Sequence, residues 1–236
     1  MSDLLDQILK VQPVPPISTA TSTAAIAFVL VAWRRTWRVT RQAVTIAHEG
    51  GHALVAVLTG RRLRGITLHS DTSGLTFTRG RRGGVGATLS LASGYIAPSL
   101  LGLAGAALLA AGRLPLLLWL AGALVLAMLV MVRNAFGVLS LVLLGGLLFV
   151  VGRYADPIWQ AAFAYTAVWF LLIGAVRPVF EVQGARRRGG ERWSDPDQLA
   201  QITRVPAGLW IMFFLLVCAG SLIGAGVVLG VLTANG

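Results

Sequence analysis

Two histidines four positions apart, with a glutamate directly after the first, make up the segment His48-Glu49-Gly50-Gly51-His52. Four residues are slightly more than one helical turn, so both imidazoles fall on one helix face and can share one metal ion. Zinc suits such a pair, and a third protein ligand would leave one position for water. Glu49 stands beside that position, where its carboxylate can take a proton from water and return it to a leaving amine. Ionisable residues in an apolar helix are costly. Three of them together ask for a common reason, which a metal supplies.

Few residues are available as a third ligand. The remaining acids are Asp3, Asp6, Asp71, Asp156, Glu181, Glu191, Asp195 and Asp197, and the remaining histidine is His69. Asp71 sits in a turn sequence and Asp156 precedes Pro157, which gives both a local structural role. Ser194-Asp195-Pro196-Asp197 opens a helical region, where the ordinary role of such residues is a cap. Residue chemistry alone leaves Asp195, Asp197 and His69 open.

The elements that must position these groups are apolar. Of 236 residues 56% are hydrophobic and 12% charged, and the mean hydropathy is +0.76. So few polar residues cannot cover a surface that faces water, and a bilayer is the solvent that fits. Residues 84–112, 114–132, 137–152, 158–176 and 207–233 form long runs nearly free of charge, as spanning helices require. Residues 19–33 form another, ended by Trp33-Arg34-Arg35-Thr36-Trp37-Arg38, a headgroup-boundary composition.

A helix over 41–59 then carries the histidines, with Thr40 as N-cap and Gly60 as stop. Residues 63–79 place β-branched and aromatic residues around Asp71-Thr72-Ser73-Gly74, which predicts a β-hairpin. The proline-bearing lead, residues 1–18, is expected to be extended or loosely bound at the membrane interface. Residues 177–206 are expected to form a polar loop.

The net charge of +11 comes from arginines placed between the apolar runs, with Lys10 the single lysine. That is the pattern of flanks facing an anionic cytoplasmic leaflet. No stacking platform or recognition helix accompanies them, so nucleic acid is not an expected partner. The basic clusters at 34–41 and 60–83 conflict if one spanning helix separates them. Either the 41–59 helix dips without crossing, or one cluster faces outward. The cytoplasmic side is assigned to the 177–206 loop. Cys218, alone, can form no intramolecular disulfide.

The HEGGH helix, the hairpin, Gly94-Tyr95-Ile96-Ala97-Pro98, Arg133-Asn134-Ala135-Phe136-Gly137 and the late segment Ser194-Asp195-Pro196-Asp197 together resemble the site-2 protease family of intramembrane zinc peptidases. The likeness is to its bacterial and plant branch with a small HExGH core. The resemblance implies Asp195 as third ligand, with Asp197 in reserve, and Asn134 as a substrate-binding residue. It implies a bacterial cell membrane as the location and membrane-anchored proteins as substrates. The chain lacks that family's Leu-Asp-Gly and Asn-Pro-Asp-Gly segments, which makes a non-hydrolytic metal-binding relative the first rival reading. The second is a small-solute or ion transporter whose buried His and Glu relay protons or bind the solute.

The expectation is an all-α polytopic membrane protein. It would be a bundle of six or seven transmembrane helices with one short β-hairpin, forming a single membrane-embedded metallopeptidase-like domain over 19–236. His48, His52 and Asp195 would bind Zn2+, and Glu49 would be catalytic. The oligomeric state is left open.

Overall fold

In hydrocarbon every backbone amide must find its partner within the chain, so the apolar runs fold as helices. A computed structural model describes residues 2–81, 83–189 and 193–233. Its elements are α1 (Ser2–Leu9), α2 (Ile17–Ala32), α3 (Arg34–Leu58), β1 (Arg62–Leu68), β2 (Gly74–Arg79), α4 (Val85–Ala110), α5 (Leu114–Met131), α6 (Ala135–Tyr154), α7 (Pro157–Arg187), α8 (Asp195–Thr203) and α9 (Ala207–Val228). By length and apolar character α4, α5, α6, α7 and α9 can each cross a membrane. The α2–α3 pair, bent by 103° at its break, would be a sixth span if counted as one. The protein is an all-α polytopic membrane protein with one small two-stranded sheet.

Three local expectations are corrected. The histidine helix begins at Arg34 rather than 41. Trp33, in extended conformation, caps both α2 and α3, so the expected boundary belt is the first turn of α3. Thr40 therefore lies mid-helix and donates its hydroxyl to the Thr36 carbonyl at 3.0 Å. Gly60 does follow the helix end with φ +75°, as a glycine stop requires.

The expected loop at 177–206 is helical over most of its length. α7 continues to Arg187 through Pro178, helped by Arg177 and Glu181 one turn apart at 3.1 Å, and α8 follows. Residues 190–192, with Glu191 and Arg192, lie outside the described residues, as does Arg82. The lead is not wholly extended either, because Ser2–Leu9 forms α1.

Glycine packing sets the order of the bundle. A side chain at Gly102 would meet Leu172 and one at Gly105 would meet Val168, so α4 and α7 run antiparallel at contact distance. α9 runs parallel to α4, with Phe214 stacked on Tyr95 and Leu103 against Gly224. α5 and α6 pair with each other and turn apolar side chains such as Leu126, Val130 and Leu143 outward. The start of α3 lies against the late part of α7, through Trp37 Nε1 donating to Glu181 at 3.0 Å. Its end returns to the start of α4, where Thr59 faces Gly86. Both termini of α3 therefore lie at one end of the bundle, together with the hairpin and α8. Every described arginine except Arg113 and Arg153 is at that end.

The hairpin is held on three sides. β1 and β2 pair antiparallel from Arg62↔Arg79 to Leu68↔Gly74. On β1's other edge Ile66 bridges Val132, and the Arg133 amide donates to the Ile66 carbonyl at 2.9 Å. Thr45 of α3 donates to the Thr72 carbonyl at 2.8 Å, which fixes the turn. Ile66 and Leu68 are fully buried.

Candidate metal centre

The middle of α3 can host the motif because its two glycines let neighbours close in. A Cβ at Gly51 would lie 2.4 Å from the Ala97 Cβ and 2.9 Å from the Ser93 carbonyl oxygen, so α3 and α4 touch almost backbone to backbone. That contact brings Ser90 to His52. The His52 Nδ1–H donates to the Ser90 carbonyl at 2.6 Å, and the Ser90 hydroxyl donates to the His52 carbonyl at 3.0 Å. The first bond fixes the tautomer and leaves the Nε2 lone pair facing inward.

Asp195, the first residue of α8, meets both imidazoles. Its Oδ2 lies 3.1 Å from His48 Nε2 and 3.2 Å from His52 Nε2, and the two Nε2 atoms are 3.0 Å apart. The three make a group that could hold a metal ion. The donor set fits zinc. Ligands at about 2.0–2.1 Å in tetrahedral array stand roughly 3.3 Å from one another, close to the three edges seen. Two imidazole lone pairs and a carboxylate oxygen at such separations repel without a cation between them.

Gly94 completes the pocket. A Cβ there would sit 2.4 Å from His52 Cε1 and Nε2 and 2.7 Å from His48 Nε2, so the space beside the ligand atoms exists only because residue 94 has no side chain. Tyr95 packs its ring edge against His48 at 4.9 Å and stacks on Phe214. The side chains of His48, Asp195 and His52 are 19%, 15% and 10% exposed, so the group is mostly buried without being sealed.

Glu49 points to the hairpin and is 4% exposed. Its Oε2 accepts the Thr76 hydroxyl proton at 2.6 Å. A Cβ at Gly74 would come within 2.6 Å of Glu49 Cγ and 2.7 Å of Oε1, so β2 lies directly over the carboxylate.

The other candidates fall elsewhere. Asp197 accepts the Ser194 hydroxyl at 2.5 Å and pairs with Arg186 of α7, which pins α8 against α7 and so steadies Asp195. His69 lies in the hairpin turn, its Nδ1 3.2 Å from the Ser73 hydroxyl. Asp71 accepts both the Ser73 hydroxyl and the Ser73 amide, and these bonds lower its pKa in keeping with a turn role. Asn134 spends both ends of its amide on Leu68, accepting from its N–H at 3.1 Å and donating to its carbonyl at 2.6 Å.

Ser90, Thr76 and the Arg186–Asp197 pair went unnoticed in the sequence. Thr76 alone had a usable signal, since the two-residue period of a strand puts it on the face of Gly74.

The family model described as Peptidase M50B-like matches residues 21–225. No curated protein and no solved structure matches the chain.

Proposed function

The chain belongs to the Peptidase M50B-like family, and on that premise we propose that it is a zinc endopeptidase that hydrolyses peptide bonds of membrane-anchored proteins. The observation that carries this reading is the meeting of His48, His52 and Asp195, with Glu49 next to His48 in the chain. In this reading the first three hold zinc and Glu49 is general base and acid. Zinc, when bound, supplies Lewis acidity that activates water near neutral pH and polarises the scissile carbonyl.

The protein's own groups do the rest. Glu49 takes the proton that water gives up and passes it to the departing amine nitrogen. Ser90 keeps the His52 proton on Nδ1, away from the site. The outer edge of β2 has no strand partner among the described residues and passes Glu49 between Gly74 and Thr76. An extended substrate segment would add there as a strand, with main-chain hydrogen bonds giving affinity.

The charge distribution supports an orientation. With nearly all described arginines at the α3, hairpin and α8 end, the positive-inside tendency puts that end, and the 177–206 connection, in the cytoplasm. The two basic clusters then need no span between them, because α3 begins and ends on that side.

The test is Glu49→Gln in proteoliposomes, read by zinc content and by cleavage of a panel of single-span peptides carrying a fluorophore–quencher pair. The expected result is about one zinc per chain in both proteins and a cleavage rate lower by roughly 10²–10⁴-fold in the variant. Equal cleavage by both would overturn the role of Glu49. A wild type that takes up zinc and cleaves no peptide would identify a non-hydrolytic relative, and one that takes up no zinc would end the metallopeptidase reading.

A further inference from the structure

The hairpin reaches the site through one hydroxyl. Thr76 Oγ1 lies 2.6 Å from Glu49 Oε2 and 3.2 Å from the Glu49 carbonyl oxygen. A hydroxyl has one proton to donate, and the shorter contact has the length of a bond to a charged acceptor. Glu49 is buried, so water competes poorly for the same oxygen. We propose that Thr76 is the positioning residue for the Glu49 carboxylate. It would fix Oε2 and, with it, the orientation of the carboxylate. This rests on the reading of Glu49 as general base.

Three further contacts say that Thr76 is placed by the fold rather than by the bond it makes. Thr45, on the same helix as Glu49 and about one turn before it, ties the turn at Thr72 to α3. Asn134 and Arg133 tie β1 at Leu68 and Ile66 to the start of α6. Gly74, two residues before Thr76 on the same strand face, lets β2 lie against the Glu49 stem where any Cβ would collide. A hydroxyl held from behind by backbone contacts orients its acceptor at little entropic cost when the reaction occurs. The hairpin thus holds the base as well as covering it.

Thr76→Val keeps the shape and removes the donor, and Thr76→Ser restores it. One readout needs no substrate. In ¹³C-glutamate-labelled, zinc-loaded protein at a single pH, the infrared carboxylate band absent from Glu49→Gln belongs to Glu49. It should shift in Thr76→Val and return in Thr76→Ser. The second readout is cleavage of the quenched single-span peptides. In Thr76→Val, kcat should fall by about 10–100-fold, the range for losing a supporting hydrogen bond at a metal site, with KM and zinc content unchanged. Thr76→Ser should recover most of the rate. An unshifted Glu49 band, or wild-type kcat in Thr76→Val, overturns the proposal. A band that shifts in a protein whose wild type cleaves nothing removes the hydrolytic premise and leaves only the contact.

Discussion

Gly94→Ala should separate stability from metal binding, because its two effects have opposite signs. In a helix interior alanine is better than glycine by about 0.5–1 kcal/mol, through the smaller entropy lost on folding. The new Cβ, however, would stand 2.4 Å from His52 Nε2 and 2.7 Å from His48 Nε2, where ordinary contacts are near 3.5 Å. With zinc bound, relief requires His52 to turn. An off-rotamer side chain costs about 0.5–1.5 kcal/mol, and turning also breaks the bond to the Ser90 carbonyl, which leaves buried partners at about 1–3 kcal/mol. The apo protein can relieve the overlap by letting the two Nε2 atoms move apart with the Ser90 bond kept. Zinc fixes both atoms, so the turn and the lost bond fall on the zinc-bound state. The loss in zinc affinity is then about 1.5–4.5 kcal/mol, roughly ten- to two-thousandfold.

Competition with a fluorescent chelator gives the zinc Kd, and thermal unfolding in detergent with a chelator gives the apo stability. Gly220→Ala is the control, since nothing lies within 4 Å of a Cβ there. A Kd for Gly94→Ala within about threefold of wild type would refute the reasoning, given the overlap stated above. So would an affinity loss that comes with collapse of apo stability, because the change would then be one of folding.

Two further outcomes are expected. In a zinc-content panel His48→Ala, His52→Ala and Asp195→Ala should lose the ion and His69→Ala should keep it. Asp197→Ala, which frees Arg186 and loosens α8, should weaken zinc binding by about 10–100-fold without abolishing it; full zinc loss there and none in Asp195→Ala would exchange their roles. Asn134→Ala removes both bonds to Leu68, and amide exchange of β1 should accelerate by about 10-fold or more, one net hydrogen bond being worth about 1 kcal/mol; unchanged exchange would show that Ile66 and Arg133 suffice.

The parts legible in the sequence were those governed by local pattern. The helix of His48 and His52, the long apolar spans and the hairpin around Asp71 follow from period and length. What escaped was set by distant contact. Nothing near Trp33 announces a sharp bend, because arginine, threonine and tryptophan all tolerate a helix. The bend depends on Arg177, far along the chain, whose guanidinium donates to the Val31 carbonyl and lies 4.9 Å over the Trp37 ring. Asp195 and Asp197 are chemically alike, and only Arg186 distinguishes them, by taking Asp197. The helix start at Ser194-Asp195 was legible, but the role of Asp195 in it was not, because a capping aspartate and a ligand read the same.

The elbow at Trp33 also bears on the lipid. α2 has 16 residues, a rod of about 24 Å at 1.5 Å per residue, while the hydrocarbon layer is about 30 Å deep. A rod too short by about 6 Å leaves the leaflet to dimple inward around it, since thinning costs only fractions of a kcal/mol per Å. Headgroups and water are then drawn down toward Trp33 and the α3 that follows it. Bilayers of shorter acyl chains should meet the elbow with less deformation, because they match the length of α2 more closely.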